Sequence, residues 1–168
     1  MNDKRLRIYL DDHSALMVAE VELIGRCWWS NRDAPLGEFL QTLENEVKAQ
    51  KSIVQDMLHR IGSKNTFESR LKKGAAWFAE KLGRLKLNDS LLTYSDLSRV
   101  IELEAISAAA HERIALWDNL DSVAGDDPRL EGITFPFFRD QSQQHLDKLN
   151  THRREAATQA FVGDKTKA

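Results

Sequence analysis

Hydrophobic and polar positions along this chain recur with the spacing of long amphipathic helices. In residues 5–30 the stripe positions follow one another at steps of four and three; they are Leu6, Leu10, His13, Met17, Glu20, Ile24 and Cys27. Residues 35–61 repeat the rhythm at Leu36, Leu40, Leu43, Val47, Gln50, Val54, Met57 and Ile61. Heptad spacing of this kind holds one stripe of a helix against a partner. The pattern therefore predicts two long helices, joined by the short polar turn at 30–33 into an antiparallel hairpin.

Two more long helices are predicted in the second half of the chain. Residues 93–123 carry an apolar side made of Leu97, Val100, Ile101, Ile106, Ile114, Trp117 and Leu120. A break at 124–128 contains Gly125 and Pro128, which interrupt a helix. The fourth helix begins near 134–136 and carries Phe138, His145, Leu149, His152, Ala156 and Ala160 on one side.

Residues 63–92 are predicted to form a long connection with a short helix of its own. Asn65 and Glu68 have the spacing of a capping box, and an apolar stripe follows at Phe67, Leu71, Ala75, Phe78 and Leu82. A crossover of this length lets the second and third helices lie parallel. The predicted fold is all-α: a ferritin-like antiparallel four-helix bundle with a long crossover that carries a short accessory helix.

Composition limits the number of domains, the partners and the location of the protein, but it does not indicate a reaction. The 168 residues fit one helical-bundle domain over 1–162, followed by a flexible tail at 163–168. The 24 basic and 26 acidic residues are interspersed, with a net charge of −2, so we expect no nucleic-acid partner. No apolar run reaches the roughly 18 residues that span a bilayer, so we expect no membrane partner. The single cysteine, Cys27, favours a cytoplasmic location.

Acidic and histidine side chains interrupt the apolar stripes. Glu20 lies within the stripe of the first helix, Glu46 flanks that of the second, Glu104 lies on the third helix, and His145 lies on the stripe of the fourth. A carboxylate that is buried without a partner costs several kcal/mol. These four side chains are therefore expected to be neutralised, paired or bound to a metal ion.

These residues support a resemblance to a known family. Glutamates on two helices, with Glu-x-x-His motifs on two others, are typical of ferritin-like di-metal bundles. The chain resembles the small bacterial members of that group, stress-associated dimers with the same long–long–short–long–long helix order. Its most similar segment is 100–107, which contains Glu104. The resemblance implies a homodimer and a carboxylate–histidine metal site.

The metal-ligand motifs depart from the family pattern. Val47 stands where the motif that begins at Glu44 would have its histidine, and the fourth helix has no Glu-x-x-His. The resemblance then implies a reduced site, mononuclear or vestigial, built from Glu20, Glu46, Glu104 and His145, with Fe, Mn or Zn as the candidate ions. The alternative is that histidines and glutamates pair with one another and set the helix register without a metal.

The sequence leads to one functional prediction and two alternatives. We expect a non-catalytic helical protein that needs no cofactor and acts through self-association, as a homodimer, or through another protein partner. One alternative is a metal-binding protein or oxidase with the reduced carboxylate–histidine site. The other is a helical adaptor unrelated to ferritins, which would keep the bundle but not the crossover topology. The sequence contains neither a phosphate-binding loop nor a nucleophile motif, so it indicates no other enzyme class.

Overall fold

A computed structural model describes residues 1–62 and 94–162 of the chain. Within these ranges the structure has four long helices: α1 (Asp3–Asn31), α2 (Pro35–Arg60), α3 (Asp96–Val123) and α4 (Phe135–Val162). Two short 3-10 turns, Ala124–Asp126 and Pro128–Leu130, connect α3 to α4. The described part contains no strand, so the all-α prediction with four long helices is confirmed. The predicted accessory helix in 63–92 and the tail at 163–168 lie outside the described residues.

The helix limits follow local capping chemistry. Asn2 caps α1 by accepting a hydrogen bond from the Arg5 backbone N–H at 3.1 Å. Ser95 caps α3 in the same way, with the N–H of Ser98 at 3.1 Å, so this helix begins at Asp96 and slightly later than its periodicity predicts. Pro35 opens α2, where its missing N–H costs no helical hydrogen bond.

The heptad stripes of α1 and α2 are the faces that the fold buries. Every stripe residue predicted for these two helices is buried. The apolar ones belong to two core clusters, and each cluster draws side chains from all four helices. The first cluster includes Ile24, Leu40, Ile106 and Leu149, and the second includes Leu10, Met57, Trp117 and Phe135. Helix α1 packs along α2 and α3, and α3 packs along α4.

Side-chain contacts fasten the link between α3 and α4. Asp127 accepts from the Arg129 backbone N–H at 3.0 Å, and its carboxylate also binds the Arg129 guanidinium at 2.6 Å. The same guanidinium binds Asp3 at the start of α1 at 2.7 Å. Arg60 at the end of α2 donates to the Arg129 carbonyl oxygen at 3.1 Å. These contacts bring the link together with the start of α1 and the end of α2.

Among the described helices, none is long and apolar enough to cross a membrane.

A glycine allows the tight turn from α1 into α2. A Cβ atom on Gly37 would lie 2.5 Å from the Asn31 carbonyl oxygen and 2.7 Å from the Arg32 Cα, and both are backbone atoms. By contrast, a Cβ on Gly25, within α1, would only approach the flexible end of Glu44 at 3.7 Å. Close approach of the two helix ends therefore depends on the missing side chain of Gly37.

The two glycines give a matched test of this turn. Gly37→Ala should lower the melting temperature, because backbone atoms must move to admit the methyl group. Gly25→Ala should raise it slightly, since alanine is favoured over glycine within a helix by roughly 0.5–1 kcal/mol. Thermal unfolding followed by circular dichroism measures both. Equal effects of the two substitutions would contradict the close approach at Gly37.

Candidate functional site

An arginine occupies the interior of the four-helix core. Arg113 on α3 and Glu20 on α1 are each 1% exposed. The Arg113 Nε donates to both carboxylate oxygens of Glu20, at 3.0 and 3.2 Å. On α2, Gln50 comes after Val47 of the first apolar cluster and before the residues of the second. On α3, Arg113 comes after Ala110 of the first cluster and likewise before the residues of the second. A layer of polar side chains therefore separates the two apolar clusters.

The other end of the Arg113 guanidinium binds side chains of α2 and α4. Its Nη1 lies 3.3 Å from the Gln50 Oε1, 3.1 Å from the Ser142 Oγ and 3.2 Å from the His145 Nδ1. One guanidinium thus contacts all three other helices. We call the group the polar centre; it comprises Glu20, Glu46, Gln50, Arg113, Trp117, Ser142 and His145.

Gln50 is the second branching point of the polar centre. Its Oε1 accepts from the Trp117 indole N–H at 2.9 Å and from the Ser142 hydroxyl at 3.2 Å. Because an indole N–H can only donate, the carbonyl oxygen of the Gln50 amide must face Trp117. The amide nitrogen then points the other way and donates to the Gln141 Oε1 at 2.8 Å. The orientation of this buried amide is fixed by its neighbours.

The hydrogen bonds of His145 select one protonation state. A guanidinium has donors and no acceptor, so the Nδ1 that faces Arg113 must be unprotonated and accept. The proton of the neutral ring is then on Nε2, which hydrogen-bonds the Glu46 carboxylate. Burial lowers the pKa of His145, and the charge of Arg113 lowers it further, against the opposing effect of Glu46. The neutral imidazole therefore fits this position.

Charge in the polar centre is balanced within the protein. Burial raises the pKa of the Glu20 carboxyl, and the neighbouring Arg113 guanidinium opposes that rise by favouring the ionised form. The Glu20 carboxylate and the Arg113 guanidinium together carry no net charge. The Glu46 side chain is 38% exposed, so water solvates its carboxylate while it contacts His145.

Three of the four predicted metal ligands lie in the polar centre. Glu20 and His145 both contact Arg113, and Glu46 contacts His145. Glu104 is exposed, and the structure does not bring it to the other three. On α3 the buried face includes Leu103 and Ile106, and the buried carboxylate of this segment is Glu102. The resemblance of segment 100–107 to the ferritin-like family had instead implied Glu104, two positions further along, as the acidic ligand of this helix.

The arrangement does not fit a metal ion. Both oxygens of Glu20 bind a permanent cation, and the two ring nitrogens of His145 are engaged by Arg113 and Glu46. A divalent ion at this place would face the positive charge of the guanidinium. In residues 1–62 and 94–162, no group of three or more histidine, cysteine or acidic side chains is placed so that it could hold a metal. The site agrees better with the pairing alternative, although the cation of the buried pair is an arginine.

The sequence contained a signal for Arg113 that the apolar pattern alone does not reveal. The residues Leu103, Ile106, Ala110, Arg113, Trp117 and Leu120 follow one another at steps of three and four, and all are buried. Arg113 therefore holds a stripe position of α3. A lone arginine on a heptad stripe, with acidic and amide residues on the stripes of other helices, indicates a buried ion pair.

A double-mutant cycle tests the pair at the polar centre. Arg113→Met leaves the Glu20 carboxylate buried without a cation, and Glu20→Gln leaves the guanidinium without a carboxylate. Each should destabilise the protein by roughly 3–5 kcal/mol, and the double variant should recover a large part of that loss. Urea unfolding gives the free energies. Additive losses would contradict direct coupling.

Acid and a surface pair provide controls for this cycle. In Arg113→Met the pKa of Glu20 should rise further, so its folded state binds a proton more readily than the unfolded chain. The loss of unfolding free energy in Arg113→Met should then be largest at neutral pH. It should shrink as the pH falls toward the pKa that Glu20 has in the unfolded chain. Lys48→Met removes the partner of Glu44 in a surface pair, where the lysine side chain is 49% exposed, and should change stability by less than about 1 kcal/mol.

Comparisons with protein-family models, with curated proteins and with solved structures give no match to this chain. The ferritin-like resemblance therefore rests on the helix order and the residues given above.

Proposed function

We propose that this protein is non-catalytic and acts through self-association, as a homodimer in the first instance, with binding of a different protein as the related possibility. The observation that carries the proposal is a set of large apolar side chains exposed to solvent near helix ends. Trp29 is 62% exposed, Phe161 is 69% exposed and Val162 is 76% exposed. Exposed aromatic side chains are enriched among the residues that dominate protein interfaces.

These side chains lie at one end of the helices. Trp29 is near the end of α1, and Phe161 and Val162 end α4. Arg99 near the start of α3 contacts Asn31 of α1 at 2.7 Å and Gln159 of α4 at 2.9 Å, which brings these helix ends together. An isologous contact between two copies of this end would bury the aromatic side chains of both.

The chemistry of the polar centre supports a non-catalytic role. Its acidic, basic and imidazole groups bind one another, and the buried charges are already compensated. A general acid or base needs a pKa near the working pH and reach to a substrate. The internal contacts of Glu20 and His145 instead favour a role in setting the helix register.

We also propose the ferritin-like arrangement, with antiparallel neighbours and the predicted crossover over 63–92. Support comes from the order of the contacts between helices. From α2 to α4 the contacts join Phe39 to His152, Glu46 to His145 and Gln50 to Gln141. From α1 to α3 they join Tyr9 to Asn119, Glu20 to Arg113 and Asn31 to Arg99. In both series the residue number rises in one helix as it falls in the other, which supports an antiparallel course of α2 with α4 and of α1 with α3. If the hairpin of α1 and α2 is antiparallel as well, α2 and α3 point the same way.

Light scattering over a concentration series tests self-association. The chain should have about twice its 19.2 kDa mass. Replacing Trp29 and Phe161 together by serine should give the monomer, because it removes the exposed aromatic surface at that helix end. Phe137→Ser is the control, since this residue is 57% exposed but lies at the other end of α4. A wild-type protein that stays monomeric throughout the series would contradict the proposal.

The metal alternative has its own test. An ion that binds only the folded state at a hundredfold excess over its Kd should stabilise it by about 2.7 kcal/mol, which raises the melting temperature. We expect no such shift with Fe²⁺, Mn²⁺ or Zn²⁺, because Arg113 already binds Glu20 and His145. A shift that Glu46→Gln or Glu104→Gln removes would instead favour metal binding.

A further inference from the structure

A second polar cluster lies where the start of α3 meets the end of α1. We call it the Tyr94 cluster; it comprises Arg26, Cys27, Asn31, Tyr94 and Glu102. Cys27 is fully buried and Glu102 is 4% exposed, whereas Tyr94 is 36% exposed. The polar centre uses none of these residues, and the exposed helix end described above shares only Asn31, through its contact with Arg99. The cluster therefore needs its own explanation.

The Tyr94 hydroxyl is the junction of this cluster. It donates its one proton to the Glu102 Oε2 at 2.9 Å and accepts from the Asn31 Nδ2 at 3.0 Å. The Arg26 guanidinium holds the other oxygen of Glu102, with Nε at 2.9 Å and Nη2 at 2.8 Å. Through a single phenol, the residue that precedes the α3 cap is tied to both α1 and α3.

The same hydroxyl closes over the Cys27 thiol. The Cys27 Sγ lies 3.8 Å from the Tyr94 hydroxyl oxygen. Because the phenol proton is already donated to Glu102, the thiol must be the donor at this contact, which favours its protonated form. Burial, followed by the charge of Glu102, raises the pKa of Cys27 to about 12. Because the thiolate is the nucleophilic form of a cysteine, the closed cluster disfavours the reactive form of Cys27.

The contacts of Tyr94 can open without loss of a helix. Tyr94 precedes the cap residue Ser95 and belongs to none of the described helices. Besides its hydroxyl contacts, its ring faces the Arg99 guanidinium at 5.8 Å. Local opening of a few contacts requires less free energy than global unfolding. Outward rotation of one partly exposed side chain would remove the phenol from the thiol.

We propose that Tyr94 is a releasable clasp that joins the start of α3 to α1 and, while closed, shields the Cys27 thiol. Opening of the clasp exposes the thiol and leaves the four helices folded. The geometry that carries the proposal is the convergence of Asn31, Glu102 and Cys27 on one partly exposed hydroxyl. The inference concerns contacts within one chain, at the same end of α1 and start of α3 that the proposed self-association would use.

Thiol labelling of the intact protein with a disulfide reagent, 5,5′-dithiobis(2-nitrobenzoate), tests the clasp. The Cys27 thiolate attacks the reagent disulfide, forms a mixed disulfide and releases one coloured thiolate. Cys27 is the only cysteine of the chain, so the colour reports this position alone. Tyr94→Phe keeps the ring and removes the hydroxyl, and it should label about tenfold faster than the wild type, as loss of a hydrogen bond to a charged group predicts.

The matched control is another tyrosine that joins the same two helices. The Tyr9 hydroxyl accepts from Asn119 of α3 at 3.0 Å, well away from Cys27 in the sequence. Tyr9→Phe should leave the labelling rate within about twofold of the wild type. Equal rates in wild type and Tyr94→Phe would overturn the clasp, as would an equal acceleration by the two substitutions.

The dependence on urea separates clasp opening from general destabilisation. Labelling through local opening should change little with low urea concentrations, because little surface is exposed. Labelling through global unfolding should follow the full urea slope of the unfolding transition. A full slope in Tyr94→Phe at low urea would overturn the proposal, even if that variant labels faster.

Discussion

A guanidinium and a carboxylate removed from water constrain the rest of this structure. Each buried ion loses several kcal/mol of hydration, and only close, well-directed partners compensate for that loss. Arg113 obtains them at its Nε and Nη1 from Glu20, Gln50, Ser142 and His145, which come from three other helices, whereas its buried Nη2 has no hydrogen-bond partner among the described residues. A shift of α1 or α3 by one turn, about 5.4 Å, would separate Glu20 from Arg113 and leave both charges unpaired, and a shift of α2 or α4 would remove neutral hydrogen-bond partners of the guanidinium. Apolar packing alone tolerates such shifts more easily.

The polar centre fixes more than one contact because its members depend on one another. Gln50 can serve Arg113 and Ser142 only while Trp117 holds its carbonyl oxygen toward them. His145 can accept from Arg113 only as the neutral tautomer that donates to Glu46. Each side chain thus limits the orientation of the next, which is how a buried polar network specifies one packing arrangement.

The periodicity of the sequence predicted the four long helices and the buried faces of α1 and α2, but it did not predict which residues meet. Every stripe residue of α1 and α2 is buried as expected, and Glu20, Glu46 and His145 do come together. The stripe of a helix indicates which of its faces is buried. The offset of two helices along their axes depends instead on contacts between residues that are far apart in the sequence. For that reason the partner of Glu20 was expected among histidines or metal ions. Its partner is Arg113, 93 positions away in the sequence.

The interior acid of α3 illustrates the same limit. Glu102 and Glu104 differ by two positions, or about 200° around a helix, so only one can face the interior. The choice falls on Glu102 because Arg26 and Tyr94 are there to bind it, and Tyr94 lies outside the helix. The periodicity of a helix cannot predict the contact with Tyr94, because this residue lies outside the helix. Leu97, expected on the apolar side of α3, lies in the first turn of that helix and is 37% exposed.

The two polar clusters use similar chemistry to different effect because their burial differs. In the polar centre the arginine and the glutamate are both inaccessible, so separating them would leave two uncompensated charges in the core. In the Tyr94 cluster the Glu102 side chain is only 5% exposed, but its partner Arg26 is 49% exposed and Tyr94 is 36% exposed, so water reaches the partners of this carboxylate. A contact whose partner water can solvate costs less to rearrange than one that water cannot reach. The buried pair of the polar centre therefore fits a fixed helix register, and the release proposed for the Tyr94 cluster concerns the phenol rather than the Arg26–Glu102 pair.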